Sequence, residues 1–464
     1  MAARLGKDVR AIRRRRTPRS PRSDAQMSSL TPNAASAPKP SLRAKPRPFG
    51  TGTPRAREPS ARQPRSAPRS RDSLGLYVHI PFCASRCPYC DFATAPARSA
   101  LRSRYLDALD MEIRRQGERL GRPRVATLYV GGGTPSLLEP PEVARLGTSL
   151  HQSFDLRPAE ATVEANPATL DRARLESWAA VGITRLSLGA QSMSAAGLRA
   201  LGRTHQTEDI APAAAAARSV GFDVNLDLIF GWPGQTAEAW REDLAAAVAL
   251  GPDHLSCYPL ELALEPEEAV ANWPGAGWRS VERWRQRTAT SQPDDAGIAG
   301  LYELAERVLG QHSYRHYEIA NWARPGKRCR HNLGYWRNGD WLGVGAGAHS
   351  HLEGVRSRDP GVLPAYIAAI ERDDERIVDA AADTAVDTAM LALRLDDGLD
   401  LVRYGSRFGQ DAAARVRTAL CSLDGMRLVR WSGERVRLTS RGRLLANEVF
   451  VRLLPDDAHV STSV

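Results

Sequence analysis

Three cysteines, Cys83, Cys87 and Cys90, fall within eight residues, whereas the other three of the six cysteines are scattered along the chain. A reducing compartment favours metal binding or catalysis for clustered thiols over a disulfide framework. Zinc could take the three thiolates together with His79, although structural zinc sites more often use paired cysteine knuckles. A redox pair of Cys87 and Cys90 would leave Cys83 without a role. A [4Fe–4S] cluster needs four ligands, so three thiolates would leave one iron open to a small molecule.

The spacing Cys-x3-Cys-x2-Cys, with the aromatic residue Tyr89 just before the third cysteine, resembles the signature of radical S-adenosylmethionine (SAM) proteins. In that family the amino and carboxylate groups of SAM chelate the open iron of a [4Fe–4S] cluster. The reduced cluster then cleaves SAM to a 5′-deoxyadenosyl radical. The resemblance implies that Cys83, Cys87 and Cys90 are the ligands of such a cluster.

The sequence after the cysteines alternates stretches of helical periodicity with short apolar segments, which is typical of βα units and a parallel sheet. A first helix is expected at 101–120. The expected strands cover 126–130, 161–164, 185–191, 224–231 and 254–258. Because each is separated from the next by about one helix, the sequence predicts an α/β fold with a partial parallel (β/α) barrel.

Polar residues and glycines recur where the predicted strands end, which is the rim at which barrel proteins collect their chemistry. These positions are Gly131–Thr134, Glu164, Gln191 and Asp227. Singly, each has an ordinary explanation, as a tight turn, a solvated carboxylate or a helix cap. Together they converge on one mouth, where glycines would admit the amino acid end of SAM and carboxylates would suit its ammonium and hydroxyl groups.

Several ordered motifs resemble the oxygen-independent coproporphyrinogen III oxidase-like family, from about residue 74 to the C-terminus. They are Tyr77–Cys83, Gly131–Pro135, Glu164–Pro167, Gly189–Gln191, Gly202–His205 and Asn225–Gly234. By this similarity, Tyr77, Gly132 and Glu164 would contact the SAM on the cluster. The positions that match those holding a second SAM in the oxidase are Tyr89, Gly133, Thr134, Gln191, Arg203 and Asp227.

One departure distinguishes two branches of this family. True oxidases carry a further cysteine two residues after the third ligand, and Phe92 occupies that position here. The segment 87–92 instead resembles the HemW branch, whose members are regarded as heme chaperones, and so do 329–336, with its HNxxYW motif, and 343–350. The resemblance therefore implies a heme chaperone that uses a SAM-binding cluster. The alternatives are a decarboxylating porphyrinogen oxidase and a plain Fe–S or zinc protein that binds no SAM; whether the chain acts as an enzyme stays open.

The same region contains candidate ligands for heme, because heme iron takes His, Cys, Met or Tyr as an axial ligand. Cys329, His331 and His349 lie in a stretch rich in glycine and aromatic residues. The ordinary alternative is that the histidines are hydrogen-bonded structural residues and that Trp336 and Trp341 belong to the core. The implied partner is a heme-accepting protein, such as a respiratory hemoprotein, through which the chain would contact a membrane peripherally; the heme donor is not identified.

The formal net charge of +11 belongs to the N-terminal segment. Residues 1–72 contain 19 Lys and Arg against 4 Asp and Glu, and 11 of the 31 prolines, so we expect a disordered basic tail. The remaining 45 basic and 49 acidic side chains provide no electrostatic argument for nucleic acid. Because no run of about 18 apolar residues and no secretory segment occurs, we expect a cytoplasmic protein.

A chain of 464 residues exceeds what one hydrophobic core usually serves. Near its end, helices at 380–393 and 412–423, a hairpin over 427–439 and a final helix at 442–453 resemble a winged-helix-like α+β domain. That layout serves DNA binding or protein docking, and we expect a lid or acceptor-docking role. The expected segments are the tail 1–72, the barrel with its cluster loop 73–265, the barrel-closing and heme-site segment 266–377, and the winged-helix-like unit 378–464.

Overall fold

The computed structural model describes residues 74–262, 271–273, 278–380 and 384–454. The basic tail expected at 1–72 therefore lies outside the described residues. In chain order, the strands are β1 (Leu74–Ile80), β2 (Phe82–Cys83), β3 (Ala95–Pro96), β4 (Arg124–Gly132), β5 (Asp155–Ala165), β6 (Arg185–Gln191), β7 (Asp223–Phe230), β8 (His254–Pro259), β9 (Arg315–Glu318), β10 (Asn321–Ala323), β11 (Trp341–Val344), β12 (His349–Leu352), β13 (Val355–Arg358), β14 (Ile377–Val378), β15 (Leu399–Asp400), β16 (Val429–Ser432) and β17 (Arg435–Leu438).

The helices lie between these strands and after them. They are α1 (Ser99–Arg119), α2 (Pro140–Ser153), α3 (Arg172–Ala180), α4 (Ala195–Ala200), α5 (Ile210–Ser219), α6 (Ala237–Ala249), α7 (Trp278–Ser291), α8 (Asp295–Gln311), α9 (Arg330–Trp336), α10 (Leu363–Arg372), α11 (Thr384–Arg394), α12 (Leu401–Phe408), α13 (Gln410–Cys421), α14 (Ser440–Leu444) and α15 (Ala446–Val451). None of the helices in the described part of the chain is both long and apolar enough to cross a membrane.

Most of the chain is organised around one large sheet, whose central strands are parallel. Its order is β14-β13-β12-β11-β1-β4-β5-β6-β7-β8-β10-β9, and every pairing from β11 to β8 is parallel. β1 is buried along its whole length, as expected for a strand covered on both faces. Because all these strands run the same way, their carboxyl ends meet at one edge of the sheet.

The two edges of the sheet continue with antiparallel strands. β10 pairs antiparallel with β8 and β9, while β12, β13 and β14 extend the sheet beyond β11. In the described residues the outermost strands, β14 and β9, are not paired with each other, so the barrel stays open. The expected partial parallel barrel is confirmed. Two of its strands, β4 and β5, are longer than the apolar segments at 126–130 and 161–164 indicated, because each begins before its apolar segment.

The C-terminal unit has a hydrophobic core of its own. It combines α11 to α15 with a three-stranded antiparallel sheet of order β15-β17-β16. The expected arrangement of helices and a hairpin is confirmed, with two differences. Sequence reasoning missed α12, which begins where the Asp400 carboxylate accepts a hydrogen bond from the Arg403 amide. The final helix is split into α14 and α15 at Leu445, whose backbone leaves the helical region.

Candidate functional site

The three clustered cysteines lie in and just after β2, at the carboxyl edge of the parallel sheet. All three are free thiols and partly exposed. Backbone hydrogen bonds from Gly133 N to Ile80 O (2.8 Å) and from Thr134 N to Phe82 O (2.8 Å) tie the end of β4 to the start of the loop. The cysteine loop is therefore fixed against the glycine run at the end of β4.

Side chains from two other elements donate hydrogen bonds to the sulfur atoms. Thr134 Oγ1 donates to Cys83 Sγ at 3.5 Å, and Arg203 Nη1 donates to Cys87 Sγ at 3.2 Å. Arg203 Nη2 also donates to the carbonyl oxygen of Gly189 at 3.1 Å, which fixes the guanidinium over the loop. The buried Nε atom of Arg203 has no hydrogen-bond partner in the described residues, so the cation retains a donor at this site.

The thiols of this loop become thiolates, the form that an iron–sulfur cluster requires, only beside a positive charge. Burial, followed by the neighbouring cysteine thiols, raises the pKa of Cys90 to about 12 and also raises the pKa of Cys83. Burial by itself would lower the pKa of the Arg203 guanidinium, but the nearby Tyr89 hydroxyl and Cys87 thiol raise it above its usual value. Thiolates here need cationic compensation, which a bound metal centre supplies and Arg203 supplements. The residues therefore fit a [4Fe–4S] cluster.

His79, the histidine considered as a fourth zinc ligand, has both ring nitrogens engaged. Nε2 is hydrogen-bonded to the Ala93 carbonyl at 2.9 Å, and Nδ1 to the Tyr77 hydroxyl at 2.9 Å. Burial lowers the pKa of His79 to about 4. Within the part of the chain that the structure describes, no three His, Cys, Asp or Glu side chains are close enough together to hold a single metal ion such as zinc. The zinc alternative would therefore require His79 to give up a hydrogen bond.

The glycines at the end of β4 are required by close packing. A Cβ atom on Gly132, whose φ is +119°, would lie 2.5 Å from the His79 ring, and one on Gly133 would lie 2.6 Å from the Pro81 backbone. A side chain at either position would displace the cysteine loop. The ordinary explanation as a tight packing turn therefore holds for both glycines, and it is compatible with a ligand approaching the same backbone.

Glu164, at the end of β5, is held in position through both carboxylate oxygens. Tyr129 donates its hydroxyl hydrogen to Oε1 at 2.9 Å, and the Gly132 amide donates to Oε2 at 2.9 Å. Burial, with the nearby Glu164 as the next cause, raises the pKa of Tyr129, so its hydroxyl stays protonated as a donor. Sequence reasoning missed Tyr129. The signal was available, because Tyr129 lies two residues before Gly131 and so points to the same face of β4.

The two tyrosines expected at SAM sites lie in different surroundings. Tyr77 is buried, and its ring stacks against that of Tyr129 with centroids 6.2 Å apart. Tyr89 is half-buried and packs against the apolar cluster of Leu201, Ile229, Trp232 and Leu260, beside Arg203. Tyr77 thus supports the Tyr129–Glu164 pair, whereas Tyr89 lies beside Arg203, which donates to Cys87.

Gln191 ends β6, whereas Asp227 lies within β7, three residues before its end, and not at the strand end that the sequence predicted. Asp227 accepts hydrogen bonds from Ser187 Oγ and Asn225 Nδ2, both at 2.9 Å, and burial raises its pKa. The same asparagine is bonded to His254 Nδ1 at 2.6 Å, so a polar network continues into the barrel. Gln191 adopts a left-handed backbone, with φ of +67°, a conformation that few residues other than glycine and asparagine adopt.

Two of the three heme candidates are buried and fully engaged. The His331 ring is hydrogen-bonded to Thr127 at 2.9 Å and to Tyr335 at 2.7 Å, and burial lowers its pKa to about 3. Cys329 Sγ donates to the Glu160 carboxylate at 3.3 Å, and that carboxylate also accepts the amides that begin α9. Neither residue fits a heme ligand without losing these bonds. His349 is half-buried at the start of β12 and paired in register with β13.

The fold and the cysteine loop define a radical SAM protein. Residues 77–247 match the radical SAM superfamily, and residues 380–445 match the HemN C-terminal domain. Among solved structures, the coproporphyrinogen III oxidase (HemN) from Escherichia coli, a radical SAM enzyme, superposes with a TM-score of 0.70 over 82% of this chain and 90% of that chain. Its sequence identity is 24%, so this likeness shows the fold alone.

The sequence relatives define the family more narrowly. The heme chaperone HemW of Mycobacterium tuberculosis H37Rv is 38% identical over 400 residues, covering 84% of this chain and 97% of the relative. The protein of the same name from Bacillus subtilis is 32% identical over 81% of this chain and 97% of the relative, and that from Escherichia coli K12 is 36% identical over 60% and 70%. This chain belongs to the HemW family, which confirms the resemblance seen in its motifs. The radical SAM family implies a [4Fe–4S] cluster and SAM as cofactors.

Proposed function

We propose that this chain binds heme and passes it to an acceptor protein, with a SAM-binding [4Fe–4S] cluster as its resident cofactor. The observation that carries the proposal is the 38% identity that extends over 97% of a relative named heme chaperone HemW. The replacement of the oxidase cysteine by Phe92 supports the same branch.

In this proposal Cys83, Cys87 and Cys90 ligate the cluster. When bound, such a cluster supplies an electron donor and an iron with a free coordination position for SAM. Arg203 and Thr134 donate hydrogen bonds to the ligand sulfurs and so stabilise their negative charge. Phe92, at the position of the further oxidase cysteine, adds no fourth thiolate.

The SAM on the cluster is assigned to Tyr77, Gly132 and Glu164. The Glu164 carboxylate is oriented by Tyr129 and the Gly132 amide before any ligand arrives, so little ordering is lost when it accepts the ammonium of SAM. Asp227, held by Ser187 and Asn225, suits a ribose hydroxyl in the second set. That second set comprises Tyr89, Gly133, Thr134, Gln191, Arg203 and Asp227.

The enzyme alternative is an oxygen-independent coproporphyrinogen III oxidase. It is favoured by the retention of Arg203 and Asp227, two positions that match the second SAM of the oxidase. Phe92 argues against it. Anaerobic incubation of the reconstituted protein with coproporphyrinogen III separates the two, because only the oxidase forms protoporphyrinogen.

We place the protein in the cytoplasm, where its acceptor is a hemoprotein such as a respiratory one, and where it contacts a membrane only through that acceptor. Residues 73–464 carry no excess of basic charge that would recruit the chain to an anionic surface. Cell fractionation with and without a membrane-bound acceptor tests this placement. Tight membrane association without an acceptor would overturn it.

The test of function is anaerobic reconstitution with iron and sulfide, followed by hemin titration with and without SAM. Transfer is then measured by the heme spectrum of an added apo-hemoprotein, and SAM cleavage by 5′-deoxyadenosine. We expect saturable hemin binding and transfer to the acceptor. A reconstituted protein that binds no hemin, or that converts coproporphyrinogen III instead, would contradict the chaperone role.

A further inference from the structure

A groove on the C-terminal unit lies apart from the cysteine site and has a volume of about 510 Å³. It is formed by the turn 425–428 between α13 and β16, by Arg441 of α14, and by Leu445, Glu448 and Arg452 around α15. This volume lies in the usual range for small-molecule and cofactor sites. The groove is open to solvent, so a ligand in it would keep one edge accessible.

The groove has an apolar side that solvent reaches. Met426 is 50% exposed and Leu445 is 39% exposed, and they are two of the seven large apolar residues exposed in the described chain. Leu428 also lines the groove and is buried. Apolar side chains that meet at one exposed place mark a binding surface more often than scattered ones do.

The groove is also cationic. Arg427, Arg441 and Arg452 line it against a single carboxylate, Glu448. In the described residues, the side chains of Arg427 and Arg441 make no hydrogen bond or ion pair, whereas Arg452 donates to the backbone oxygen of Glu448. Two guanidinium groups are therefore available for an anionic ligand.

The backbone of Arg427 is held in an uncommon conformation, with φ of +56°. Its amide donates to the Asp424 carbonyl at 2.8 Å, and its own carbonyl accepts the Thr439 hydroxyl at 2.7 Å. Such left-handed conformations at residues other than glycine persist where the surrounding structure enforces them, and they cluster at binding sites. The turn is fixed before any ligand binds.

We infer that this groove is the heme-binding site of the chain, an inference that rests on the proposed function. Heme is an apolar macrocycle with two carboxylates, so its ring suits Met426 and Leu445 while its propionates suit Arg427 and Arg441. The thioether of Met426 is one of the side-chain groups that ligate heme iron.

The transfer of heme to an acceptor is a second reason to assign heme to this groove. A chaperone must hand heme on, and an open groove lets an acceptor reach the macrocycle while it is bound. Cys329 and His331, by contrast, are 4% and 2% exposed and are engaged in hydrogen bonds, so heme could reach them only after local unfolding. The groove meets both requirements without any rearrangement.

The test is hemin titration of the full reconstituted chain, followed by absorbance. The groove variant is the double substitution Arg427→Ala/Arg441→Ala, and the matched control is Arg403→Ala/Arg430→Ala, which removes two exposed arginines of the same unit that do not line the groove. We expect hemin affinity to fall at least about tenfold in the groove variant and to stay unchanged in the control. Met426→Ala is expected to shift the heme spectrum, because it removes the thioether proposed to ligate the iron.

The outcomes separate this inference from the proposed function. A wild-type chain that binds no hemin contradicts the proposed function itself. A wild-type chain that binds hemin, with equal affinity in the groove variant, overturns the groove. An unaltered heme spectrum in Met426→Ala overturns its role as a ligand. Equal circular dichroism spectra and cluster iron content show that each variant is folded, so a loss of affinity is not a loss of structure.

Discussion

The cysteine loop at 83–90 and the segment 329–336 both carry side chains capable of binding metals, but they differ in burial and in hydrogen bonding. In the loop the three thiols are partly exposed, and Thr134 and Arg203 donate hydrogen bonds to two of them from other elements. In the segment, Cys329 and His331 are buried, and the thiol and both ring nitrogens are engaged within the protein.

This difference teaches how to interpret a motif of ligand residues. Such a motif is a binding site where its donor atoms keep unused bonding capacity beside an accessible surface. Where hydrogen-bond partners inside the fold use that bonding capacity, the same residue types hold neighbouring elements in place. The segment 329–336 belongs to the second kind, because Glu160 on β5 accepts two of its backbone amides as well as the Cys329 thiol.

The largest effect is expected from removing a ligand of the loop. In Cys87→Ser, iron and sulfide retained after anaerobic reconstitution should fall close to zero, because two remaining thiolates cannot hold the cluster. Metal analysis and the visible absorbance of the cluster measure this. Cys421→Ser, at an exposed cysteine of α13, should retain full iron. A Cys87→Ser variant with full iron, or wild-type protein with one zinc, would break the comparison.

The next effect concerns the structural role of the segment 329–336. Glu160 and Arg185 form a buried ion pair at 3.3 Å, each side chain being 6% exposed. Glu160→Ala removes the nearer of the two carboxylates beside the Arg185 guanidinium, leaving Asp223 at 3.8 Å, and should lower the free energy of unfolding by about 3 kcal/mol. Urea unfolding measures it. The exposed pair of Arg172 and Glu176 provides the control, since Glu176→Ala should cost less than about 0.5 kcal/mol. Equal losses in both variants would contradict this role.

The neutral His331 ring predicts a dependence of stability on pH. Its folded pKa of about 3 lies below the ordinary value, so between pH 6.5 and 3 the unfolded chain binds a proton that the folded chain does not. The free energy of unfolding should therefore fall by about 1.4 kcal/mol per pH unit for this group as the pH decreases. Urea unfolding of metal-free protein at pH 7.5 and 5.5 measures the slope.

His331→Asn should make that slope shallower, because the group that gains the proton on unfolding is gone. His312→Asn changes an exposed histidine that follows α8, and it should leave the slope as it is in the wild type. If His331→Asn and the wild type lose stability equally between the two pH values, the ring is not held neutral in the fold. The contrast with the cysteine loop would then weaken.

The smallest effect is expected from removing the hydrogen bond that Tyr129 donates to Glu164 at the proposed SAM site. Tyr129→Phe removes the hydroxyl that donates to Glu164, so the Kd for SAM should rise about three- to tenfold, the usual effect of one hydrogen bond. Equilibrium dialysis on reconstituted protein measures it. Tyr404→Phe removes a tyrosine hydroxyl bonded to the Ala385 carbonyl in the C-terminal unit and should leave SAM affinity unchanged. An unchanged Kd in Tyr129→Phe would show that Glu164 needs no such support.

The parallel strands could be found from the sequence, because strands buried on both faces leave continuous apolar runs bounded by turn residues. β6 was predicted with its exact ends, and β7 and β8 within one residue. The helix α12 was missed, since its eight residues follow β15 directly and no turn residues separate the two. The break at Leu445 was missed because nothing in its residue type ends a helix.

Contacts between distant residues could not be read from the sequence. Arg203 and Cys87 are 116 positions apart, and His331 is separated from Thr127 by 204 and from the Glu160 carboxylate by 171. Spacing along the chain says nothing about such pairs, because only the packing of the strands brings them together. For the same reason no local pattern indicated the groove, whose lining comes from a turn and two short helices.

The sequence by itself determined the family, the spacing of Cys83, Cys87 and Cys90, and the α/β order of elements, because these depend on residue types close together in the chain. Only the tertiary structure decided which donor atoms remain available. Burial and hydrogen bonding occupy Cys329 and His331 from inside the barrel, whereas the cysteine loop and the arginines at 427 and 441 stay at the surface. An atom whose hydrogen-bonding capacity is already used inside the protein cannot also bind a ligand. Packing between distant parts of the chain decides whether that capacity is used.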